Sequence, residues 1–432
     1  MRDIADKFLA SVLSKTDRHS SEAPLLRTIR DHAIRKLTPG ALPISTDESW
    51  RYTDLRSLYG LNLSSVSESQ QIDEQILKSF RLPEATDFVV IVDGIFSEKY
   101  SSTLSAKEFS VLSNARAESA GLQVALSKAL LGTLEDRFGD GFSALNSSGA
   151  RDIIMVAVTG ESALERVIQV LNVNTKKDVF SCPRILFDCG VGVEATLIED
   201  SLNIGGYRYF TNNVVELFVR ENAKVDHIQL QREDLDSFFI SNSFVNIERS
   251  GTYRSWAISC GAKLSRHNPH VYLGGNGAHA DLKGLALCDK GRVSDTHSTL
   301  YHAEAHTSSR QTHKNIAADQ ARVVFNGKIK VFKDAQGTDA AQQSRSLLLS
   351  NRASVDAKPE LEIFADDVKC AHGATIGQIN DEELFYLKSR FVDDRTARSL
   401  LNYAFARDVL DDLPIKSLLP SIEENIRALT SF

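Results

Sequence analysis

The sequence is poor in the features that mark membrane and secreted proteins. No stretch approaches the roughly 18 consecutive apolar residues of a candidate membrane-spanning helix. The five cysteines form no C-x-x-C pair, and their odd number argues against a disulfide framework. The first ten residues contain Asp3 and Asp6 and no long apolar run, unlike a secretory signal. We therefore expect a cytoplasmic protein with no membrane partner.

An excess of basic charge is also missing. Lysine and arginine number 50 against 57 acidic residues, which gives a net charge of −7, and no basic block occurs. Nucleic acid is therefore not an expected partner, because it binds basic patches or stripes. No G-x-x-x-x-G-K-[ST] string and no G-x-S-x-G string occurs, so the chain has neither a Walker A nucleotide site nor a hydrolase nucleophile elbow.

What is present is an ordinary globular balance, with 42% hydrophobic and 25% charged residues over 432 positions. This length suggests two or three domains. Residues 1–145 are predicted to form a mainly helical domain, although Phe88–Val92 has the pattern of a short strand. Helical spacing returns over Ala106–Phe138, with Leu122, Ala125, Leu126, Ala129 and Leu130 on one face.

Residues 146–372 have a different character. Short runs that alternate apolar and polar residues are separated by turn residues at intervals of about 8–12, which is typical of an all-β sandwich, barrel or solenoid. One helix is predicted to interrupt them at Asn213–Arg220. No fixed repeat is visible, so spacing alone leaves a stacked coil of strands and a sandwich as alternatives.

Residues 373–432 are predicted to be helical again. Asp381 opens one helix with acidic residues in its first turn, which suits the helix dipole. A second helix begins near Asp393, which can cap its free amides. Its apolar stripe is predicted to comprise Ala397, Leu400, Leu401, Ala404 and Phe405.

Seven of the eleven histidines lie between His267 and His313. His302, Glu304 and His306 would share one face of a strand, and we interpret them as a polar outer surface, since the spacing is not that of a metal motif. The string Gly275–Ala280 loosely matches a dinucleotide-binding loop. An alternating run follows it where that loop needs a helix, which favours a turn between strands.

Cys370 and His372 form the most chemically suggestive pair. In a continuing strand their side chains point to the same face, where a thiolate and an imidazole could ligate iron or receive sulfur. The alternative is a buried cysteine beside a turn histidine. The other cysteines, Cys182, Cys189, Cys260 and Cys288, are interpreted as core residues.

Longer strings carry a resemblance to a known family. Asp366–Gly377 and the following Glu383–Arg390 resemble the C-terminal signature of SufD members of the SufB/SufD family of iron–sulfur cluster assembly scaffold proteins. Ser309–Lys314 and Val323–Ile329 are similar to preceding blocks of that family. The resemblance covers about residues 200–410. Ala371 replaces the family's serine, and the Cys-Ala-His-Gly block lacks the glutamates of SufB.

The resemblance implies a mainly β fold, with a right-handed parallel β-helix core flanked by N-terminal and C-terminal helical domains. It also implies a non-catalytic scaffold in a complex with SufB and the SufC ATPase. SufB would join near the final strands, where His372 and Cys370 would be transient iron–sulfur cluster ligands. SufC would dock on Asp381–Asp411, a region whose apolar residues are Leu384, Leu387, Leu400, Leu401 and Phe405.

Other interpretations stay open. A β-helix enzyme acting on polysaccharide would need grouped carboxylates or basic groups, and none stand out in the sequence. A stand-alone metal-binding protein would use the stretch from His267 to His313. The family complex is associated with a reduced flavin, although no flavin motif is visible, and the isolated chain could pair with itself as a homodimer.

Overall fold

The computed structural model describes residues 1–16, 23–65, 71–102, 109–113, 129–159 and 166–429. Its centre is a β-solenoid of two ten-stranded sheets, here called sheets I and II. From β7 onward the chain crosses between the sheets after every strand. From β9 onward each strand pairs in parallel with the strand two positions earlier. The predicted β-helix architecture, flanked by helices, is therefore confirmed, and the sandwich alternative is wrong.

The strands of sheet I are β1 (Asp87–Val92), β2 (Ile95–Phe96), β5 (Arg166–Asn174), β8 (Glu194–Asn203), β10 (Lys224–Arg232), β12 (Thr252–Ser259), β14 (His279–Cys288), β16 (Ser308–Ala317), β18 (Thr338–Leu348) and β20 (Val368–Gln378). Those of sheet II are β3 (Phe109–Ser113), β4 (Asp152–Val158), β6 (Phe180–Ser181), β7 (Arg184–Cys189), β9 (Phe210–Val219), β11 (Phe238–Ile247), β13 (Leu264–Leu273), β15 (Val293–His302), β17 (Arg322–Val331) and β19 (Ser354–Ile363). Two pairings, β1 with β2 and β3 with β4, are antiparallel.

Each turn of the solenoid has a slightly different length. Phe238 pairs with Leu264, 26 residues later, whereas Arg322 pairs with Ser354, 32 residues later. The corners between strands absorb these differences, so the sheets stay in register while the sequence spacing drifts. This is why no fixed repeat is visible in the sequence.

The main core lies between the two sheets, where alternate side chains of each strand meet. Leu197 and Val225 from sheet I, for example, join one buried cluster with residues of sheet II. Polar residues also point inward and are paired there. The ring of His227 lies 2.7 Å from Glu199 Oε1 and 2.8 Å from the Tyr253 hydroxyl. The interior is therefore a mixed core in which polar groups such as the His227 ring find partners within the solenoid.

The described N-terminal helices are α1 (Arg2–Ser14), α2 (Pro24–Lys36), α3 (Arg56–Tyr59), α4 (Glu74–Phe80), α5 (Thr133–Phe138) and α6 (Gly141–Gly149), with a 3₁₀ turn at Glu48–Trp50. Helices were predicted in this region, but the helix expected over Ala106–Phe138 is wrong at β3, which is a strand paired with β4. Leu122, Ala125 and Leu126 lie outside the described residues. At its other end the same run does form α5.

The helix predicted at Asn213–Arg220 is also wrong, because all of these residues except Arg220 belong to β9. Every residue of β9 is buried, on both faces of the strand. Glu216, the one acid among them, lies 2.6 Å from the guanidinium of buried Arg184. A strand covered on both sides does not alternate, so its sequence resembles a buried helix.

The C-terminal helices are α7 (Asp381–Ser389), α8 (Asp394–Leu410) and α9 (Leu419–Ala428), with a 3₁₀ turn at Lys416–Leu418. The second half of α8 packs on the outer face of sheet I. There Lys314 of β16, almost fully buried, lies 2.7 Å from Asp408 and 4.5 Å from the ring centre of Phe405. The predicted caps are present, since Asp393 accepts a hydrogen bond from the Thr396 amide.

Strands of the solenoid also occur within the regions predicted to form the N-terminal and C-terminal helical domains. β1, within the predicted N-terminal region, pairs with β5 of sheet I over Asp87–Val92, and β20 extends to Gln378. None of the helices in the described ranges is both long and apolar enough to cross a lipid bilayer.

Candidate functional site

The two ends of the solenoid differ in how they are covered. At the N-terminal end, β2 and β3 pair antiparallel to the first strands, and Phe96 and Phe109 pack against the main core. At the C-terminal end, β19 and β20 form the last turn, and each pairs with one strand only among the described residues. Every residue of β20 from Ala371 to Gln378 is exposed. We call this last turn, residues 354–378, the open end.

Cys370 and His372 lie on β20 at the open end. They pair in register with Ala340 and Gln342 of β18, whose side chains are buried in the solenoid interior. Because strands pack in register, the side chains of Cys370 and His372 continue the same inner row. The prediction that both face one side of a strand is therefore confirmed, and that side is the interior of the solenoid at its last turn.

The two candidate ligands differ in exposure. Cys370 is partly buried against the main core, and His372 is exposed. Burial raises the pKa of the Cys370 thiol above its usual value, so the thiol is protonated at neutral pH. A metal ion that bound there would displace this proton. Within the described ranges, no three His, Cys, Asp or Glu side chains are grouped as metal ligands would be.

The remaining cysteines are buried, as predicted. Burial raises the pKa of Cys189, Cys260 and Cys288 to about 12, and it raises the pKa of Cys182 well above the usual value. These four thiols are therefore protonated core side chains, and Cys370 is the most accessible thiol of the chain.

The histidine-rich stretch does not form one surface. His302 ends β15 and is buried, with its ring nitrogens 2.9 Å from the hydroxyls of Thr307 and Ser309. Glu304 and His306 lie in the following turn, where His306 has a φ of 57°. The prediction of a strand with all three residues on a polar outer face is therefore wrong. Hydrogen bonds to Thr307 and Ser309 compensate for the burial of the His302 imidazole.

Gly275–Ala280 is a turn that leads into β14, as predicted, with no helix to hold a phosphate. A Cβ atom at Gly275 would lie 2.0 Å from the backbone nitrogen of Arg249. Glycine is thus required by the close approach of two stacked turns. Its role in this string is packing.

The C-terminal hairpin of α7 and α8 projects from the solenoid. Among the residues predicted to dock a partner, Leu384 is buried, Leu387 and Leu401 are half-buried and Leu400 is exposed. Phe405 packs against the cluster that joins α8 to sheet I. The predicted apolar stripe of α8 is partly wrong, since its buried residues are Ala397, Asn402, Ala406, Val409 and Leu410.

Three large aromatic residues at the tip of this hairpin were missed by the sequence reasoning. Phe385 is 73% exposed, Tyr386 is 56% exposed, and Phe391, in the turn after α7, is fully exposed. A signal was available in α7, because four consecutive apolar residues from Leu384 cannot all face the core. Large apolar side chains that are exposed in this way are typical of interaction surfaces.

Comparison with known proteins identifies one family to which the chain is similar. Residues 172–405 match the SufBD core domain of the SUF system for FeS cluster assembly, and residues 11–170 match the SufBD N-terminal region. An iron–sulfur cluster assembly SufBD family protein of Synechocystis is 33% identical, over 98% of this chain and 96% of its own length. The iron–sulfur cluster assembly protein SufD of Escherichia coli is 31% identical, over 88% of this chain and 87% of its own length.

Proposed function

Because this chain belongs to the SufBD family of iron–sulfur cluster assembly proteins, we propose that it is the SufD-type scaffold subunit of a complex with a SufB-type subunit and a SufC-type ATPase. One observation carries this proposal. The last turn of the solenoid is uncovered, and it holds Cys370 and His372 on its inner row.

The iron–sulfur cluster is the cargo of such a complex, and two side chains cannot hold it alone. Iron–sulfur clusters are typically bound by four protein ligands. Cys370 and His372 would supply part of the set, and a SufB-type subunit joined at the open end would supply the rest. The site then exists only when two subunits meet, which suits a scaffold that must release its product.

The ATPase would bind the helical hairpin. The sequence has no Walker A string of its own, so nucleotide hydrolysis has to come from a partner. Phe385, Tyr386 and Phe391 offer that partner an exposed aromatic surface. Because α8 also packs on sheet I, a force that the ATPase exerts on the hairpin would be transmitted directly to the solenoid.

The test is to replace the exposed ligand. We expect His372→Ala to lower cluster assembly by the complex at least about tenfold, because it removes one ligand of the incomplete set. The complex itself should still form, because the imidazole is exposed and is not needed for packing. Cluster formation is measured by absorbance and iron content of the purified complex.

His306→Ala is the matched control, since it removes another exposed imidazole, from a turn outside the open end. It should leave assembly unchanged. Full cluster assembly by the His372→Ala complex would contradict the proposal.

A further inference from the structure

We propose that Gln342 is a positioning residue for the candidate site, because it ends a row of buried amides and accepts a hydrogen bond from the ring of His372. This bond leaves the other ring nitrogen without a proton and free to bind a metal ion. The inference deepens the proposed function and rests on it, since the ring is positioned for a cluster that the complex assembles. The hydrogen bond itself lies within this chain, so it can be tested without a partner.

Three inward-facing side chains stand in register on neighbouring strands of sheet I. Gln311 of β16 pairs with Gln342 of β18, and Gln342 pairs with His372 of β20. Gln311 and Gln342 are 4% and 3% exposed, so their amides lie in the solenoid interior. Neighbouring strands lie about 4.8 Å apart, which lets in-register side chains of this length form hydrogen bonds with one another.

The hydrogen bonds of these amides run in one direction. The amide nitrogen of Gln311 donates to the Ser298 hydroxyl at 2.7 Å, and the amide nitrogen of Gln342 donates to the Gln311 oxygen at 2.8 Å. The oxygen and nitrogen of an amide point to different sides of its carbon. With its nitrogen directed at β16, Gln342 therefore directs its oxygen toward β20, and the row ends in an acceptor beside His372.

That acceptor is unused within the described part of the chain. The Oε1 atom of Gln342 is buried and has no hydrogen-bond partner there. A buried oxygen without a partner is costly, so a donor that can reach it is favoured. Its neighbours on the inner row of β20 are Cys370, His372 and Ala374, and of these the imidazole is the strongest donor.

The opposite wall of the solenoid leaves space for this glutamine. Gly327, on β17 of sheet II, faces the Gln342 amide, and a Cβ atom at Gly327 would lie 1.9 Å from the amide nitrogen. A glycine within a strand weakens the sheet, and here its absent side chain is the space that the amide occupies. Both walls of the interior therefore fix the Gln342 amide in place.

The hydrogen bond determines which ring nitrogen of His372 can bind a metal ion. A neutral imidazole carries one proton, so an N–H held by Gln342 leaves the lone pair on the other nitrogen. His372 is exposed at the open end, where that nitrogen can meet a ligand. Hydrogen-bond partners of this kind orient metal-binding histidines, and their loss lowers metal affinity or activity by about 10–100-fold.

The test compares two buried glutamines of sheet I. Gln342→Met keeps the approximate length of the side chain but removes the acceptor for His372. Gln229→Met is the matched control, since Gln229 is also directed into the solenoid, is 5% exposed and donates to the Ser241 hydroxyl at 2.7 Å. Each variant loses one buried amide and its hydrogen bond, and thermal unfolding checks that both remain folded.

The measurement is nitrogen NMR of the isolated chain with isotope-labelled histidine at about pH 8, where a free imidazole is neutral. The signals missing from His372→Ala identify the ring. In the natural chain and in Gln229→Met we expect one tautomer with a slowly exchanging ring N–H. In Gln342→Met we expect fast exchange and a mixture of both tautomers. A mixture in the natural chain, or identical ring signals in all three chains, would overturn the inference.

Cluster assembly by the complex separates this inference from the proposed function. We expect Gln342→Met to lower assembly about tenfold and Gln229→Met to change it less than about threefold. If His372→Ala lowers assembly and Gln342→Met does not, His372 is still a ligand but Gln342 does not position it. If His372→Ala assembles clusters fully, the proposed function fails, and the positioning role of Gln342 fails with it even where NMR shows the hydrogen bond.

Discussion

At the residue scale, the structure separates accessible groups from buried ones. Cys370 is the one cysteine that is not fully buried, and it lies beside the exposed His372 on the inner row of the last strand. The same criterion singles out an acid that has no part in the candidate site. Glu233 follows β10 and is 3% exposed.

Glu233 gives a prediction about stability and pH. Burial raises the pKa of its carboxyl to about 8, and its Oε1 accepts a hydrogen bond from the Thr211 hydroxyl at 2.7 Å. The folded state therefore holds a proton that the unfolded chain releases near its usual pKa of about 4.5. The free energy of unfolding should fall as pH rises from about 4.5 to about 8 and change no further above that pH.

Glu233→Gln keeps the shape and the acceptor for Thr211 but cannot ionise. We expect its stability relative to the natural chain to increase with pH across this window, by an amount set by the scale of about 1.4 kcal/mol for each pKa unit. Chemical denaturation at several pH values measures the difference. A difference that is independent of pH would show that Glu233 titrates normally in the folded chain.

Side chains alternate between the two faces of a strand with a period of two residues. This alternation was enough to predict that Cys370 and His372 share a face. Their place at an uncovered end could not be predicted, since exposure depends on whether another turn follows in space. His302 shows the opposite failure. Nothing in its neighbours reveals that Thr307 and Ser309 accommodate it inside the solenoid.

At the element scale, the hairpin of α7 and α8 has a buried face and an exposed face, and we propose that the exposed face binds the ATPase. Leu384 is 7% exposed and holds α7 in place, whereas the adjacent Phe385 is 73% exposed. Sequence periodicity predicted both helices but not these roles, because apolar residues lie around α7 on more than one face. On α8, Asn402 is buried and Leu400 is exposed, so the polarity of these side chains does not predict which face packs on the protein.

This separation predicts different outcomes for neighbouring substitutions. Phe385→Ser with Phe391→Ser should change the free energy of unfolding by less than about 1 kcal/mol, because both rings are exposed, but should greatly reduce capture of a SufC-type ATPase. Leu384→Ala should destabilise the hairpin by about 2 kcal/mol or more. Co-purification and thermal unfolding together distinguish the two effects, and full capture by the double variant would contradict the docking role.

The strand β9 shows why a strand that is buried on both faces can be mistaken for a helix. Asn213–Arg220 was predicted as a helix because its apolar run does not alternate. In the fold, β9 has the solenoid interior on one side and N-terminal helices on the other, so both faces are buried. Glu216 is tolerated in this buried strand because the fold brings Arg184 within 2.6 Å of its carboxylate. The local sequence does not reveal this pairing.

At the scale of the whole molecule, each turn of the solenoid contacts only its neighbours, so stability is distributed along its axis. The N-terminal end is covered by β2, β3 and helices, whereas β19 and β20 of the last turn have no further strand beyond them in the part of the chain that the structure describes. We expect amide hydrogen exchange to be slowest from β8 to β16 and fastest, among the solenoid strands, at β19 and β20. Uniform protection along the axis would show that the solenoid unfolds as one unit.

The unequal ends also limit stoichiometry. A rod with two free ends can polymerise into a filament, because every joined unit offers a new end for growth. Here the N-terminal end carries the short antiparallel strands β2 and β3 within the described residues, so we expect a single such junction in each subunit, at the open end. In the proposed complex, growth through that junction would stop at two members, and a larger particle would be built through the hairpin of α7 and α8.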